Sequence, residues 1–330
     1  MERKNAIQGW LAGLFPGQKF QLSPASADAS FRRYFRAEFP DRSLIVMDAP
    51  PSHEDVRPWL QVQKLFAAAG VHVPEVVAEN LEQGFLLLSD LGSTTYLSAL
   101  TDTSADTLYR PALDALVAIQ SASRAGVLPE YDRALLKREL DLFPDWYIAK
   151  HIGITLSDTE KSQLDTVFGR ILAVNLAEPK VFVHRDYHSR NLMACERNPG
   201  IIDFQDAVYG PISYDLASLL KDAYVEWEEE QALDWLIRYW EKARKAGLPV
   251  RADFAEFHRD YEYMGAQRHI KVLGIFARLF HRDGKDGYLK DMPLVAKYLR
   301  AACERYGELK PLLRLLDKLE NRQAQFGYTF

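Results

Sequence analysis

Two short polar stretches stand between apolar runs. The first, VHRDYHSRNLM over Val183–Met193, holds Asp186 and Asn191; the second, IIDFQD, opens at Ile201 and holds Asp203 and Asp206. Val181 to Val183 carry the chain into a loop and Asn191 to Met193 lead it out, so Asp186 and Asn191 fall at opposite ends of one tight loop. Ile201 and Ile202 present Asp203 at a strand end. Phosphoryl transfer to a hydroxyl needs such a set: one carboxylate beside the attacking oxygen, plus an amide oxygen and a second carboxylate on a hard Mg²⁺ ion that bridges nucleotide phosphates. In that chemistry Asp186 orients the acceptor hydroxyl or takes its proton, while Asn191 and Asp203 hold the metal. A single Asp or Asn is ordinary in a turn. The combination HxDxxxxN followed by an apolar-flanked DxxD is much more specific.

The elements around these stretches change character along the chain. Ile7, Trp10, Leu11 and Leu14 are spaced as one face of a helix, and loop-like SPASADAS follows over residues 23–30. FRRYFRAEF and LIVMDA read as two strands joined at Asp41–Ser43. SHEDVRPWLQVQKLFAAAG has a period near 3.6 and stops at Gly70, which predicts a helix. VPEVVAEN and GFLLLSDLG are two more β-rich runs. From Thr101 onward the pattern is helical, and only VFVH and GIID, with short partners, read as strands. The order predicts a bilobal α+β chain: residues 1–90 form a nucleotide-binding lobe with a small antiparallel sheet, and 91–330 form a large, mainly helical lobe with the catalytic loop and substrate site. A connector near Ser89–Gly92 would leave a cleft, a favoured place for a ligand.

Composition narrows the class. The chain has 330 residues, 48% of them hydrophobic, and a net charge of −5, without the basic stripe that nucleic-acid binding requires. No uncharged run is long enough to span a bilayer, and Gln8 and Gly9 interrupt the first apolar residues where a signal peptide would be continuous. Cys195 and Cys303 are far apart, which suggests neither a disulfide framework nor a zinc site. A cytoplasmic location is expected, with a small-molecule substrate, no nucleic acid or membrane, and no obligate protein partner evident.

HRDYHSRNLM and IIDFQDAVYGPISYDLASLL resemble the catalytic and metal-binding segments of the aminoglycoside phosphotransferase and choline kinase family. That resemblance implies a protein-kinase-like fold, ATP and Mg²⁺ as cofactors, Asp186 as catalytic base, Asn191 and Asp203 as magnesium ligands, and Asp215 as the helix-start carboxylate that braces the loop. ASFRRYFR, LIVMDAPPSHED and LLLSDLGSTTYL are further similar to a branch of bacterial cell-wall sugar kinases. The likeness to that branch implies phosphorylation of N-acetylmuramate and N-acetylglucosamine at the anomeric hydroxyl, in peptidoglycan recycling. The resemblance runs from about Phe31 to Leu220.

One departure is clear. A kinase-like third strand carries a Lys for the nucleotide phosphates, and Met47 stands in its slot. Arg32, Arg33 and Arg36 are the candidate replacements, and strand alternation prevents all three from pointing one way. Glu54 is a candidate partner for such a cation. Ser30, with Ser26 and Ala29, is small enough to let backbone N–H groups approach phosphates, and Ser89, Asp90 and Leu91 are placed to offer backbone groups to the base of the nucleotide. For the acceptor, Tyr187, His188, Gln205, Asp206 and Trp146 are the candidates, and His184 is read as a loop anchor. YEYMGAQRHIKVLG offers further aromatic and cationic groups. Two other readings remain: a kinase for another small hydroxyl acceptor such as an aminoglycoside or a choline-like alcohol, and a nucleotide-binding pseudokinase motivated by Met47.

Overall fold

Ile7 and Leu11 are fully buried on one face of the first helix, Glu2–Leu14 (α1), so the expected amphipathic segment is a packing element. The computed structural model describes residues 2–27 and 31–326. Contacts divide the chain into two units, one of residues 1–99 with 191–206 and one of 100–190 with 207–330. The first unit thus extends past the connector expected near Ser89–Gly92 and takes in the segment that carries Asn191 and Asp203.

In the first unit, strands Gln21–Ala27 (β1), Arg33–Glu38 (β2), Ser43–Asp48 (β3), Val76–Asn80 (β4) and Phe85–Ser89 (β5) form an antiparallel sheet in the order β1-β2-β3-β5-β4. Leu22, Ala37, Leu44, Val46, Phe85 and Leu87 on one face pack with Ile7 and Leu11 of α1. β1 corrects the reading of SPASADAS as a loop over residues 23–27, the rest of that stretch lying outside the described residues. Pro24 pairs with Phe35 on an edge strand, where its missing N–H breaks no second ladder, and the register shifts between Pro24 and Ser26. The helix Arg57–Ala68 (α2) forms as expected, with Gly70 just beyond it at φ 83°. Its Trp59 and Phe66 rings lie 5.0 and 5.8 Å from Phe204, the neighbour of Asp203. Leu192–Met193 pairs with Gly200–Ile201 in a short ribbon, so the chain turns back sharply between Asn191 and Asp203.

The second unit is mainly helical. Lys180–Val183 pairs with Val208–Pro211, which delivers the chain to His184. The 30-residue helix Phe254–Asp283 runs through this unit with buried Glu262, Gln267, Arg268, His269 and Lys271 among its apolar residues. Its Gly274 allows close approach, since a Cβ there would lie 2.5 Å from the Leu142 carbonyl carbon. The neighbouring helix Phe143–Ile152 has π-type turns. Among the described residues no helix is long and apolar enough to cross a membrane.

Candidate functional site

The loop that carries Asp186 is built on strained backbone. Arg185 has φ 77° and Asp203 has φ 62°, the two non-glycine residues with positive φ among those described. Asp tolerates that region through its short polar side chain, whereas Arg needs outside constraint. The constraint is present. The Arg185 N–H donates to Asp215 Oδ1 at 3.0 Å, its Nη2 to Glu139 Oε1 at 2.5 Å, and its carbonyl accepts from Arg268 Nη1 at 2.9 Å. The His184 N–H donates to Asp215 Oδ2 at 2.7 Å, and His184 Nδ1 accepts the Asp186 N–H at 3.2 Å. Asp215 is fully buried in the first turn of the helix Tyr214–Leu220, and that burial pushes its carboxyl up to about 6.

Asp186 belongs to the second unit and keeps 41% of its side chain exposed. Partial burial pulls its pKa upward, but Lys271, Arg268 and Arg185 outweigh that pull and hold the carboxyl well below the usual carboxylate range. Arg268 Nη1 lies 3.7 Å from Asp186 Oδ1. Lys271 Nζ is 3.0 Å from Glu139 Oε1 and donates to the Tyr214 hydroxyl at 2.9 Å. Buried Glu139 thus ties Arg185 and Lys271 together beneath the loop, and the Tyr131 hydroxyl also donates to it. Sequence reasoning did not single out Glu139, and took Arg268 and Lys271 only as unnamed cationic groups of YEYMGAQRHIKVLG offered to the acceptor. Charged residues inside that apolar helical run were the available signal for Arg268 and Lys271.

Asn191 and Asp203 come together within the first unit. Asn191 Nδ2 donates to Asp203 Oδ2 at 3.2 Å, the Asn191 carbonyl accepts the Ile202 N–H at 3.1 Å, and Gln205 Nε2 donates to Asp203 Oδ1 at 2.8 Å. Among the described residues no three His, Cys, Asp or Glu side chains form a metal cluster. An amide oxygen and one carboxylate fit Mg²⁺, which keeps several waters and takes the rest of its shell from substrate phosphates. Asp186 and Asn191 are five residues apart along one loop.

The candidates for the nucleotide differ in how they are held. Met47 is fully buried and pairs with Tyr34 and Leu86, as a packing residue. Arg33 Nη2 pairs with buried Asp48 at 2.5 Å, and Arg3 of α1 clasps the same carboxylate. Arg36 forks onto Asp90 at 2.6 and 3.1 Å and also donates to the Gly92 carbonyl. Arg32 lies 3.9 Å from Glu54. The Ser89 N–H is taken by the Glu75 carbonyl, its Oγ accepts the Glu75 N–H, and Leu91 is buried. Ser30 and Ala29 lie outside the described residues.

The acceptor candidates also separate. Tyr187 is fully buried and donates its hydroxyl to the Ala112 carbonyl at 2.8 Å, which makes it core and corrects its placement among the residues lining the site. The packing of the helix Ala105–Ser121 against the loop decides this, and no loop pattern encodes it. His188 stands edge-on to Tyr224 at 5.5 Å; burial holds it down to about 4, so it is neutral at pH 7. Gln205 is partly buried, Asp206 is exposed, and Trp146 is partly exposed on the helix Phe143–Ile152.

The comparisons with known proteins bear on the family and the fold. Residues 21–254 match the model of the Phosphotransferase enzyme family. The chain belongs to that family. It is 50% identical over 100% of both chains to an N-acetylmuramate/N-acetylglucosamine kinase of Neisseria meningitidis serogroup B. A protein of the same name from Pseudomonas aeruginosa is 54% identical over 91% of this chain and 88% of its own. The fold is that of an ADP-bound aminoglycoside phosphotransferase, with a TM-score of 0.61, 16% identity, and coverage of 89% of this chain and 96% of that one. Both the expected kinase-like fold and the expected family therefore hold.

Proposed function

We propose that this phosphotransferase is an ATP- and Mg²⁺-dependent kinase that phosphorylates N-acetylmuramate and N-acetylglucosamine at the anomeric hydroxyl, a cytoplasmic step of cell-wall recycling. The observation that carries the acceptor is 50% identity across the whole of a relative named for those two sugars. The side chains support the chemistry. Asp186 is ionised throughout the neutral range, because the cations around it overcome partial burial. So acidic a carboxylate is a weak base toward an alcohol, but in a loose phosphoryl-transfer transition state there is little early proton transfer to drive. Asp186 therefore acts first by aligning the hydroxyl and accepts its proton late. His184 and Asp215 fix the loop that carries it. Asn191 and Asp203 would hold Mg²⁺, which when bound neutralises phosphate charge.

On the nucleotide side we assign the phosphate-binding cation to Arg32. Arg33 and Arg36 hold the carboxylates of Asp48 and Asp90 in short hydrogen bonds, which leaves Arg32, 3.9 Å from Glu54, as the third arginine of the set. The Asp90–Leu91 backbone is the remaining candidate for the base edge.

The test is ADP release with N-acetylmuramate, N-acetylglucosamine, an aminoglycoside and choline, using the wild type and Asp186→Asn. Turnover with the two sugars is expected, as is a loss of at least about 10²-fold in kcat in the variant with nucleotide binding retained. No turnover with either sugar, or full turnover by the variant, would refute the assignment.

A further inference from the structure

The loop that carries Asp186 includes Arg190, to which the chemistry above gives no role. Its guanidinium carbon stacks 3.7 Å from the centroid of the Tyr224 ring and 5.5 Å from that of Tyr288. Nη2 lies 3.7 Å from Asp291 Oδ2, well beyond the roughly 2.8 Å of a charge-assisted hydrogen bond. Asp291 Oδ2 is buried with no hydrogen-bond partner among the described residues, and the Arg190 side chain keeps 34% of its surface exposed. The cluster continues to Asp186. The His188 N–H donates to the Asp186 carbonyl at 3.0 Å, and buried Asp222 accepts the Ser189 and Tyr224 N–H groups at 2.9 and 3.1 Å. His188 Nδ1 is buried in the same cluster without a hydrogen-bond partner among the described residues.

We infer that Arg190, stacked on Tyr224 and held by a loose countercharge at Asp291, reads the carboxylate of an acidic sugar acceptor. This rests on the sugar-kinase reading and addresses how one site serves two unlike sugars. N-acetylmuramate carries a lactyl ether whose carboxylate is ionised at neutral pH, and N-acetylglucosamine lacks it. A guanidinium stacked on a ring keeps its N–H edge free for a bidentate carboxylate. With the neutral sugar, Asp291 remains the counterion and no charge is left unpaired. With the acidic sugar, the lactyl carboxylate makes the fork that Asp291, at 3.7 Å, does not. The tyrosine rings offer apolar surface to sugar C–H groups.

The test compares kcat/KM for the two sugars in the wild type, Arg190→Gln, Arg190→Lys and Asp291→Asn. Arg190→Gln is expected to lower the value for N-acetylmuramate by about ten- to a hundredfold, mostly through KM, and to change that for N-acetylglucosamine by less than about threefold. Arg190→Lys, which keeps the charge without the fork, should recover part of the loss. Asp291→Asn removes the competing carboxylate and should tilt the ratio severalfold toward N-acetylmuramate. Activity on N-acetylglucosamine reports that each variant is folded. A wild type active on both sugars whose Arg190→Gln variant loses both equally, or neither, overturns this assignment alone. A wild type inert on both overturns the sugar-kinase reading with it.

Discussion

Replacing Arg32, Arg33 and Arg36 one at a time by Ala tests how a kinase with Met47 in the lysine slot holds its nucleotide. Arg36 forks onto Asp90, whose side chain is 6% exposed, so its removal leaves a nearly buried carboxylate unpaired at a cost of about 2–3 kcal/mol in stability. Arg33 is 52% exposed and Asp48 retains Arg3, so its loss costs about 1 kcal/mol or less. Arg32 and Glu54 are 12% and 21% exposed and 3.9 Å apart. At that distance the attraction is about 4 kcal/mol for an effective dielectric of 20, and residual solvent and side-chain entropy reduce it to about 1–2 kcal/mol. A phosphate can therefore compete with Glu54 for Arg32. One charge-assisted hydrogen bond to phosphate contributes about 1.5–3 kcal/mol, which corresponds to about a ten- to hundredfold rise in the KM for ATP in Arg32→Ala. The assay is ADP release at saturating sugar across ATP concentrations, with direct nucleotide binding measured alongside because KM equals Kd only when chemistry is slow. Thermal unfolding of each variant separates the stability effects. An unchanged KM in Arg32→Ala together with a tenfold rise in Arg33→Ala or Arg36→Ala would refute the reasoning.

Tyr187→Phe should lower stability by about 1 kcal/mol, the usual net value of a buried hydrogen bond, and leave the KM for either sugar unchanged; a raised sugar KM at unchanged stability would return Tyr187 to the acceptor site. Asp215, raised to about 6 by burial, binds its proton more tightly in the folded state than unfolded. Its contribution is therefore fullest below the ordinary carboxylate range and is lost as pH rises through 6, by about 3 kcal/mol in all. Denaturant titrations from pH 4 to 7 should show the wild type losing ground to Asp215→Asn over that window, and a pH-independent difference would contradict the assigned burial.

The layout of the loop was legible in the sequence because it depends on local spacing. The separation of Asp186 and Asn191, the apolar runs that force a turn between them, and the strand-end position of Asp203 are short-range properties. The antiparallel strands after residue 30 and the helix stopped by Gly70 were legible through periodicity. Pro24 misled the reading of β1, since composition marks a breaker but does not reveal that the strand lies at a sheet edge.

Tertiary structure decided which charges are occupied. Alternation along β2 separates Arg33 from Arg36, yet their partners Asp48 and Asp90 are chosen by strand register and by the end of β5. Tyr187 looks like its loop neighbours until the helix Ala105–Ser121 supplies the Ala112 carbonyl. Arg268, Lys271 and Glu139 are scattered over more than a hundred residues, and only packing places them under one loop. Backbone pattern is written in neighbours along the chain. The state of a carboxylate such as Asp186 depends on charges a few ångströms away in space, whose identity the fold alone determines.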